Sequence, residues 1–531
     1  MSIKAKGLFA VASVMALALS ACGGSGSGGS SADKSSGSSQ SAGGSGAINL
    51  GVAYDTTAFD PSTTSSALAF GTNWQVMEGL YEFNMQTYKH YPALAADEPK
   101  KVSDTEYQVK LRDGAKFSDG KPVTSKDFLE SYKRTTDPTS IYSMFFDFVD
   151  SVSAVDDNTI DFKLKYPFPG IADRLVDVKV IPASSTQEAM NSKPIGSGPY
   201  MYQSIDGTKE LTAVPNPNYN GSYPAGAGSL KWTVLKDDSA RLSAALGGTI
   251  DVMEAVPADA ASQLEAQGWK IDKVEGYNNP FLMFNTTKAP FDKPEVRQAF
   301  LYAIDTQSLI KSQMAGEAKE ATSFLPESNP MYKKAATQFT YDAQKAKDLL
   351  AKAGVSGLSV TLLTTDHPWI ANLAPQIKQN LEAVGVTVNI STQASADLYA
   401  NFTDTDPDNP KGRTYDIALA PGDPSVFGVD PGIIINWWYG DNVWTTTRDG
   451  WKNTDSADFK KLQDLMLNAS QKTGDEAKDL YGQAQDLIAE QVPIYPLFHR
   501  TMITASNPKN VTDVTPIGAT GLDVVGAKST K

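Results

Sequence analysis

A single cysteine, Cys22, is the feature that most limits how this chain of 531 residues can fold. One thiol cannot close a disulfide within the chain, and it cannot build a cysteine-ligated metal site. A chain without such cross-links must be stabilised by a large hydrophobic core. The composition permits one, because 41% of the residues are hydrophobic and 20% are charged, as in ordinary globular proteins. The length predicts about three domains of ~150 residues each.

The position of Cys22 predicts a lipid anchor. Lys4 and Lys6 precede an apolar run over 8–19, and small residues then lead to the cysteine, as in a secretory signal. The apolar run has roughly 12 residues, fewer than the ~20 that a membrane-spanning helix needs. A small-residue cleavage site that ends in cysteine resembles a bacterial lipobox; the alternative is an ordinary signal with an unmodified thiol. We therefore expect a signal peptide over 1–21 and a body outside the cytoplasm, anchored to the bacterial cell membrane by lipidated Cys22.

The segment after the signal predicts a flexible tether. After Cys22, the residues up to 46 are almost all Gly, Ser or Ala. Such a composition forms a random coil because it offers no apolar surface to bury. The tether over 22–46 would hold the folded body away from the membrane.

Charge and residue spacing exclude several classes of function. The net charge is −14 and the pI is about 4.8, whereas nucleic-acid binding requires a basic face. His90, His367 and His499 are widely separated, and none has a partner at metal-ligand spacing, so no metal or cofactor is expected. No catalytic triad or carboxylate pair is recognisable, although such sites can assemble from distant residues. The pattern therefore favours a binding protein over an enzyme.

Strand and helix signals alternate along the body, which predicts a mixed α/β chain. Strands are predicted at 107–111 and 386–390, where apolar and polar residues alternate. Helices are indicated by capping residues followed by apolar residues at helical spacing. The predicted helices run from Thr124 through Tyr132, from Pro294 through Ile304, from Asp342 to Gly354, over 459–469 and over 476–490.

Five segments of the body resemble one known family. They occur in the order found in that family and span most of the body. The segments are 77–82, 111–120, 195–200, 239–252 and 284–305, and Pro493-Ile494-Tyr495 also fits. The chain resembles the extracytoplasmic solute-binding proteins of ABC importers, in the family that takes up oligopeptides, dipeptides and nickel.

The resemblance implies an α/β, two-lobed, periplasmic-binding-protein-like fold of class II with an inserted domain. Lobe one would comprise 47–73, 197–283 and 496–531. The inserted domain would comprise 74–196, and lobe two 284–495. The chain would cross between the lobes near Met283 and Tyr495, and these crossings would form a hinge. A ligand that touches both lobes would favour the closed state.

The resemblance also implies one ligand contact. In peptide-binding relatives the ligand is extended, and an aspartate of lobe two pairs with its free ammonium group. The corresponding region here contains Asp423, with Asp430 as the second choice. Both precede proline, and Asp-Pro is also a common start of a turn, so the alternative is a purely structural role.

Aromatic residues supply further predicted ligand contacts. Trp437 and Trp438 begin a cluster that also contains Trp444 and Trp451. Such a cluster can line a cleft, and it can equally form a core. Tyr54 and Phe59 follow the first strand, where the resemblance places the ligand-facing side of lobe one, with core packing as the alternative.

Together these observations predict a monomeric, lipid-anchored receptor that binds oligopeptides and delivers them to the transmembrane subunits of an ABC permease. An oligosaccharide or another small polar solute is the alternative ligand. A surface adhesin or chaperone-like protein is the alternative from a different class.

Overall fold

The computed structural model describes residues 44–403 and 415–531. Cys22, the predicted signal peptide and most of the predicted tether lie outside the described residues. No helix within the described ranges has both the length and the apolar character needed to cross a bilayer.

The strands of the described residues form the sheets that carry the fold. Numbered in chain order, they are β1 Gly44–Val52, β2 Tyr81–Asn84, β3 Lys89–Pro92, β4 Lys100–Ser103, β5 Glu106–Lys110, β6 Val149–Asp156, β7 Thr159–Leu164, β8 Tyr200–Asp206, β9 Glu210–Pro215, β10 Ala227–Val234, β11 Val252–Met253, β12 Lys270–Glu275, β13 Asn279–Phe284, β14 Ala318–Glu320, β15 Ser359–Thr365, β16 Thr387–Gln393, β17 Ile417–Gly422, β18 Ile494–Pro496, β19 Phe498–Ser506, β20 Val511–Thr512 and β21 Lys528–Ser529.

The helices connect and cover these strands. They are α1 Ala67–Asn73, α2 Ser125–Thr135, α3 Ile171–Leu175, α4 Gln187–Ser192, α5 Asp238–Leu246, α6 Ala258–Ala266, α7 Pro294–Ala303, α8 Thr306–Gln313, α9 Ala343–Lys352, α10 Pro368–Ala371, α11 Ala374–Ala383, α12 Ser395–Leu398, α13 Pro431–Tyr439, α14 Trp451–Thr454, α15 Ser456–Ser470 and α16 Gly474–Gln491. Short 3-10 turns lie at Ser143–Phe146 and Pro424–Phe427, and π-helical turns lie at Tyr399–Thr403 and Trp444–Arg448.

The predicted strands and helices are confirmed, and their ends follow from local chemistry. The Asp342 carboxylate accepts a hydrogen bond from the Lys345 amide at 2.8 Å and so caps α9. Gly354 follows the end of α9 with φ of +75°, a conformation that costs glycine little. Pro294 begins α7, where its missing N–H would have had no helical partner.

The largest sheet has eight strands and carries lobe one. Its order is β12-β19-β11-β1-β10-β9-β8, and β14 pairs with β19 off this path. β1 runs parallel to both neighbours, β10 and β11, and it buries Ile48 and Leu50 completely. β1 is therefore a central strand of the sheet, and the loop that contains residue 54 begins at its carboxyl end.

A five-stranded sheet carries lobe two, in the order β16-β15-β17-β13-β18. β15 is parallel to β16 and β17, whereas β13 is antiparallel to β17 and β18. Every residue of β13 is buried, as expected for a strand covered on both faces. The loop after β15, an inner strand of this sheet, begins at the carboxyl end of the strand, where ligands of α/β proteins commonly bind.

A four-stranded antiparallel sheet, β4-β5-β7-β6, belongs to the inserted domain and has its own hydrophobic core. That core also contains two side chains from lobe two, Phe427 and Ile433, which are 3% and 0% exposed. The Phe427 ring lies 5.5 Å from the ring of Tyr142 in the inserted domain. Lobe two and the inserted domain therefore share a packed interface.

The predicted domain limits stay a prediction. Two strands, β13 and β14, pair in a sheet other than that of the lobe to which these limits assign them. β13 pairs within the five-stranded sheet, although the predicted limit assigns 279–283 to lobe one. β14 pairs with β19 of the eight-stranded sheet, although 318–320 falls within the range of lobe two. The chain passes between the two large sheets over 276–278 and again at 497.

Candidate ligand-binding cleft

Two cavities lie between lobe one and lobe two and share three residues, Tyr54, His367 and Trp369. The larger has a volume of about 320 Å³, and we call it the large cavity; Arg241 and Arg500 also line it. The smaller has a volume of about 180 Å³, and we call it the small cavity. Its further lining residues include Asn278, Asp423 and Thr520. Because both lobes contribute side chains, a ligand in these cavities would contact both.

Tyr54 enters the cleft from lobe one, two residues after the end of β1. Its half-buried ring lies 5.8 Å from the ring of His367 in lobe two. Burial, together with the negative charge of Glu254, raises the pKa of Tyr54 to about 12. The phenol is therefore neutral at pH 7 and can both donate and accept a hydrogen bond.

His367 lies on the loop between β15 and α10. Its Nδ1 atom is buried and has no hydrogen-bond partner among the described residues. Burial lowers the pKa of His367, and the positive charge of Arg500 lowers it further. The imidazole is therefore neutral at pH 7, and it offers an unused polar atom to a ligand.

Asp423 lies immediately after β17 and forms hydrogen bonds to both lobes. Its Oδ1 accepts hydrogen bonds from the amide of Ser425 at 3.1 Å and from the Ser425 hydroxyl at 2.6 Å. Its Oδ2 accepts hydrogen bonds from the amide of Thr520, in lobe one, at 2.9 Å and from the Thr520 hydroxyl at 2.7 Å. These four donors occupy about four lone-pair positions, which is the usual capacity of a carboxylate. Burial raises the pKa of Asp423, while the hydrogen bonds oppose that shift.

Asn278 provides a further acceptor beside Asp423 in the small cavity. Its amide nitrogen lies 3.4 Å from the Thr520 hydroxyl oxygen. Its Oδ1 is buried and has no hydrogen-bond partner among the described residues. A buried carbonyl oxygen without a donor is costly, so a ligand N–H group placed here would be stabilised.

Arg500, on β19, brings a positive charge into the large cavity. Its guanidinium carbon lies 4.1 Å from the centroid of the Trp369 ring in lobe two. Like the contact of Tyr54 with His367, this cation–π contact joins an aromatic ring of one lobe to a side chain of the other. Burial lowers the pKa of Arg500.

Asp430 lies in a different part of the molecule from Asp423. Its Oδ2 accepts a hydrogen bond from Nε of Arg174, in the inserted domain, at 2.7 Å, and its Oδ1 accepts one from the Gly432 amide. It lines a third cavity of about 350 Å³ between lobe two and the inserted domain. Its predicted contact with ligand stays a prediction, and the observed contact joins two domains.

The remaining predicted aromatic residues pack against protein. Phe59 is 1% exposed in the core of lobe one, and Trp438 is 1% exposed in the core of lobe two. Trp437 is half-buried and lies 5.2 Å from Phe427 at the interface with the inserted domain. Trp438 lies directly beneath Gly422, where a Cβ atom would overlap its ring. The predicted contacts of Phe59, Trp437 and Trp438 with ligand stay predictions.

The structure therefore brings Tyr54 and Asp423 into one cavity, and it does not bring the other predicted ligand-binding residues there. It adds Asn278, His367, Trp369, Arg500 and Thr520, which were not recognised as ligand-binding residues in the sequence. His367 and Trp369 had one usable signal, because they follow a strand that is parallel to both of its neighbours. Within the described ranges, no group of three or more His, Cys, Asp or Glu is arranged to hold a metal ion.

Comparison with known families identifies the protein class. Residues 89–445, more than half of the chain, match the family described as Bacterial extracellular solute-binding proteins, family 5 Middle. The chain is a family 5 solute-binding protein. Because this is a family of binding proteins, the prediction that the chain is not an enzyme is confirmed. The predicted location outside the cytoplasm is also confirmed, whereas the lipid anchor stays a prediction.

Similar proteins support the assignment. The probable D,D-dipeptide-binding periplasmic protein DdpA of Escherichia coli is 24% identical over 477 residues, covering 86% of this solute-binding protein and 89% of DdpA. A dipeptide-binding protein from a Pseudoalteromonas species, solved with Met-Leu, is 19% identical with a TM-score of 0.77, covering 91% of this chain and 100% of that one. The oligopeptide-binding protein AppA of Bacillus subtilis, solved with a nonapeptide, is 19% identical with a TM-score of 0.76, covering 92% and 100%. The two structures confirm the predicted two-lobed fold.

Proposed function

We propose that this solute-binding protein captures peptides with a free amino terminus in the cleft between its lobes and delivers them to an ABC import permease. The observation that carries this proposal is the small cavity. There, Asp423 of lobe two lines the same cavity as Asn278, whose Oδ1 has no hydrogen-bond partner among the described residues. A negative charge and a free acceptor in one partly buried cavity suit an ammonium group, which has three N–H donors.

The ammonium group would replace one hydrogen bond of Asp423. The Thr520 hydroxyl donates to Oδ2 at 2.7 Å, whereas the Thr520 amide is held in place by the backbone. A hydroxyl can rotate and then accept a hydrogen bond, so the exchange leaves Asp423 with an ionic donor. Charge-assisted hydrogen bonds are about twice as strong as neutral ones, which favours the exchange.

The ligand would also stabilise the closed arrangement of the lobes. Tyr54 and Thr520 belong to lobe one, whereas His367 and Asp423 belong to lobe two, and all four line the small cavity. A ligand that contacts both sides has a higher affinity for the closed state and shifts the population towards it. A permease that recognises the closed state would then accept only the loaded receptor.

The similar proteins support peptides as the ligand class. DdpA is described as binding D,D-dipeptides, and the two solved relatives hold Met-Leu and a nonapeptide.

The predicted anchor fits the same role, since a lipid on Cys22 would keep the receptor near a membrane-embedded permease. We expect Cys22→Ser to release the protein from membranes without changing its ligand affinity.

The test is to identify the ligand and the response to it. The full-length protein would be purified in mild detergent and examined by native mass spectrometry, followed by denaturation to release bound molecules. The proposal predicts a set of short peptides, and their addition to emptied protein should decrease the radius of gyration in X-ray scattering. A sugar or another solute as the bound molecule, or peptides that leave the radius unchanged, would contradict the proposal.

A further inference from the structure

The third cavity, between lobe two and the inserted domain, is separate from the cleft. Its lining shares no residue with the large cavity or the small cavity. Its volume of about 350 Å³ is slightly larger than the 320 Å³ of the large cavity. A molecule in the third cavity would therefore contact lobe two and the inserted domain and would leave the cleft free.

The walls of the third cavity are mainly apolar. Phe83 and Phe168 line it from the inserted domain, and both are buried. Ala469 of α15 and Ala477 of α16 line it from lobe two, together with the half-buried side chain of Met331. Apolar groups placed against these residues are removed from water, and a methionine can adapt to their shape. The cavity therefore suits the apolar body of a small molecule.

Tyr481 adds an unused polar group to these walls. It lies on α16, lines the cavity and is only 5% exposed. Its backbone carbonyl accepts a hydrogen bond from Gln485, whereas its hydroxyl forms none with the described residues. Burial raises the pKa of Tyr481, and Asp430 raises it further while Arg174 opposes the shift, so the phenol is neutral at pH 7. A buried hydroxyl without a partner can accept a hydrogen bond from a ligand.

Two of the three charged residues that line the cavity are compensated by neighbours. Asp430 pairs with Arg174 at 2.7 Å, and Lys472 pairs with Glu476 at 3.2 Å. Asp177 also acts on Arg174, but burial raises the pKa of this carboxyl well above its usual value and so favours its neutral form. These pairs offer little net attraction to a charged ligand.

Asp173, the third charged residue of the lining, is only partly compensated. It pairs with His90 at 2.6 Å, and the same histidine pairs with Glu98 at 2.9 Å. Hydrogen bonds to these two carboxylates raise the pKa of His90 to about 9, so one positive charge faces two negative charges at pH 7. The group therefore keeps one negative charge, which attracts a cation and repels an anion.

We propose that the third cavity is a second ligand site, which binds small organic cations that carry one ammonium group on an apolar body. The body would lie against the buried rings of Phe83 and Phe168. The ammonium group would donate hydrogen bonds to acceptors of the lining, Asp173 and the hydroxyl of Tyr481. A volume of about 350 Å³ lies near the lower end of the range for small-molecule sites, so the ligand has a single ring or a short chain.

The experiment compares four probes that separate the charge from the apolar body. 2-Phenylethylammonium has both, 2-phenylethanol lacks the charge, 3-phenylpropanoate reverses it, and methylammonium lacks the body. Each would be titrated by calorimetry at pH 7 into full-length Asp423→Ala protein in mild detergent. This variant lacks the carboxylate that would bind an ammonium group in the cleft. The heat of partition into detergent would be measured without protein and subtracted.

2-Phenylethylammonium should bind about two- to fivefold more tightly than 2-phenylethanol, the range expected for one partly exposed ion pair. 3-Phenylpropanoate should bind more weakly than either, and methylammonium should not bind detectably. After Asp173→Asn the ammonium and the alcohol should bind equally, because His90 then faces only Glu98. Asp150→Asn is the matched control, since Asp150 is an exposed carboxylate of the inserted domain outside the cavity and should keep the preference.

Three further variants test the location of the site. Met331→Trp would fill the cavity and should lower the affinity for 2-phenylethylammonium more than tenfold. Asn372→Trp adds the same side chain to the large cavity and should leave that affinity unchanged. Tyr481→Phe keeps the ring and removes the hydroxyl, so it should lower the affinity about two- to tenfold. If Met331→Trp fails to fold, Tyr481→Phe and Asp173→Asn still test the site.

The outcomes test the ligand class and the location separately. If 3-phenylpropanoate binds as tightly as 2-phenylethylammonium, or if Asp173→Asn keeps the preference with an unchanged melting temperature, the ligand class is wrong. If Asn372→Trp abolishes binding and a folded Met331→Trp does not, the probe occupies the cleft and the second site is overturned. Absence of binding by 2-phenylethylammonium overturns it as well. The proposed function is unaffected by these outcomes, because peptide binding in the cleft is measured independently.

Discussion

At the residue scale, the carboxylate of Asp423 has two structural roles, one within lobe two and one between the lobes. It accepts four hydrogen bonds, two from Ser425 within lobe two and two from Thr520 of lobe one. The first pair holds the carboxylate at the start of a 3-10 turn, and the second pair joins the lobes. The same group can thus contribute to closure of the lobes and to ligand binding. A ligand donor that replaces the Thr520 hydroxyl would bind Asp423 at the interface between the lobes.

We predict that Asp423→Ala lowers the affinity for peptides with a free amino terminus by more than a hundredfold. Removing one partner of a buried ion pair costs about 3–5 kcal/mol because the other charge is left unpaired. Titration calorimetry on matched free and N-acetylated peptides would measure the effect. The variant should lose the preference for the free form, whereas Asp441→Ala, an exposed carboxylate of lobe two, should keep it.

His499 gives a second prediction at this scale. Burial lowers the pKa of His499 from 6.5 to about 4. Between these values the unfolded chain binds a proton that the folded protein does not, so stability falls as the pH decreases from about 6.5 to about 4. The loss should approach about 3 kcal/mol for this side chain at the acidic end, by the usual 1.36 kcal/mol per pKa unit. Thermal unfolding of the wild type and of His499→Phe across this range would reveal the difference.

The pKa of His90 is shifted in the opposite direction to that of His499. Its hydrogen bonds to Asp173 and Glu98 raise its pKa to about 9. Its contribution to stability is therefore complete below pH 6.5 and is lost as the pH rises through about 9. A His90→Gln variant should be less stable than the wild type mainly below pH 9, as measured by thermal unfolding. If the His90 and His499 variants showed the same dependence of stability on pH, the assignment would be contradicted.

At the element scale, the start of α2 shows how local chemistry determines a helix boundary. The Asp127 Oδ2 accepts hydrogen bonds from the amide and the hydroxyl of Thr124, at 2.9 and 2.7 Å. The Asp127 Oδ1 accepts a hydrogen bond from the amide of Ala183 at 2.9 Å, which ties the helix to a distant segment. The cap was predictable from the order of Thr124 and Asp127, whereas the bond to Ala183 required the tertiary fold.

We predict that Asp127→Ala destabilises the protein by about 1–2 kcal/mol, the usual effect of losing a helix cap together with a further hydrogen bond. Urea unfolding followed by circular dichroism would measure it. Lys126→Ala is the matched control, since Lys126 is exposed in the same turn of the helix and should change stability by less than about 0.5 kcal/mol. Equal effects of the two variants would contradict the role of the cap.

At the scale of the whole molecule, the inserted domain is attached to lobe two as well as to lobe one. Arg174 is 5% exposed and pairs with Asp430 at 2.7 Å, while Phe427 and Ile433 enter the core of the inserted domain. The two apolar side chains supply buried area, and the ion pair adds geometric specificity. When lobe two moves away from lobe one, it must therefore either break its interface with the inserted domain or move together with that domain.

We predict that Arg174→Met weakens the closed state by leaving Asp430 unpaired at this interface. Peptide affinity should fall, and the radius of gyration in X-ray scattering should increase. Arg174→Met combined with Asp430→Leu should recover part of both, because a buried ion pair is often replaced by apolar residues with little loss. Lys163→Met, an exposed change in the inserted domain, should alter neither quantity.

The sequence by itself determined the α/β class, the capped helices, the family and the residues of the predicted lipid signal. These features depend on neighbours along the chain: helix periodicity, caps at Thr124 and Asp342, and ordered motifs. Only the tertiary structure decided which side chains share the cleft. Tyr54, Trp369 and Arg500 come from three distant segments, whereas Asp430 and Trp438 line neither of the two cavities although they lie near Asp423 in sequence. The physical reason is that strand pairing and lobe packing bring distant residues together, and neither is specified by local spacing.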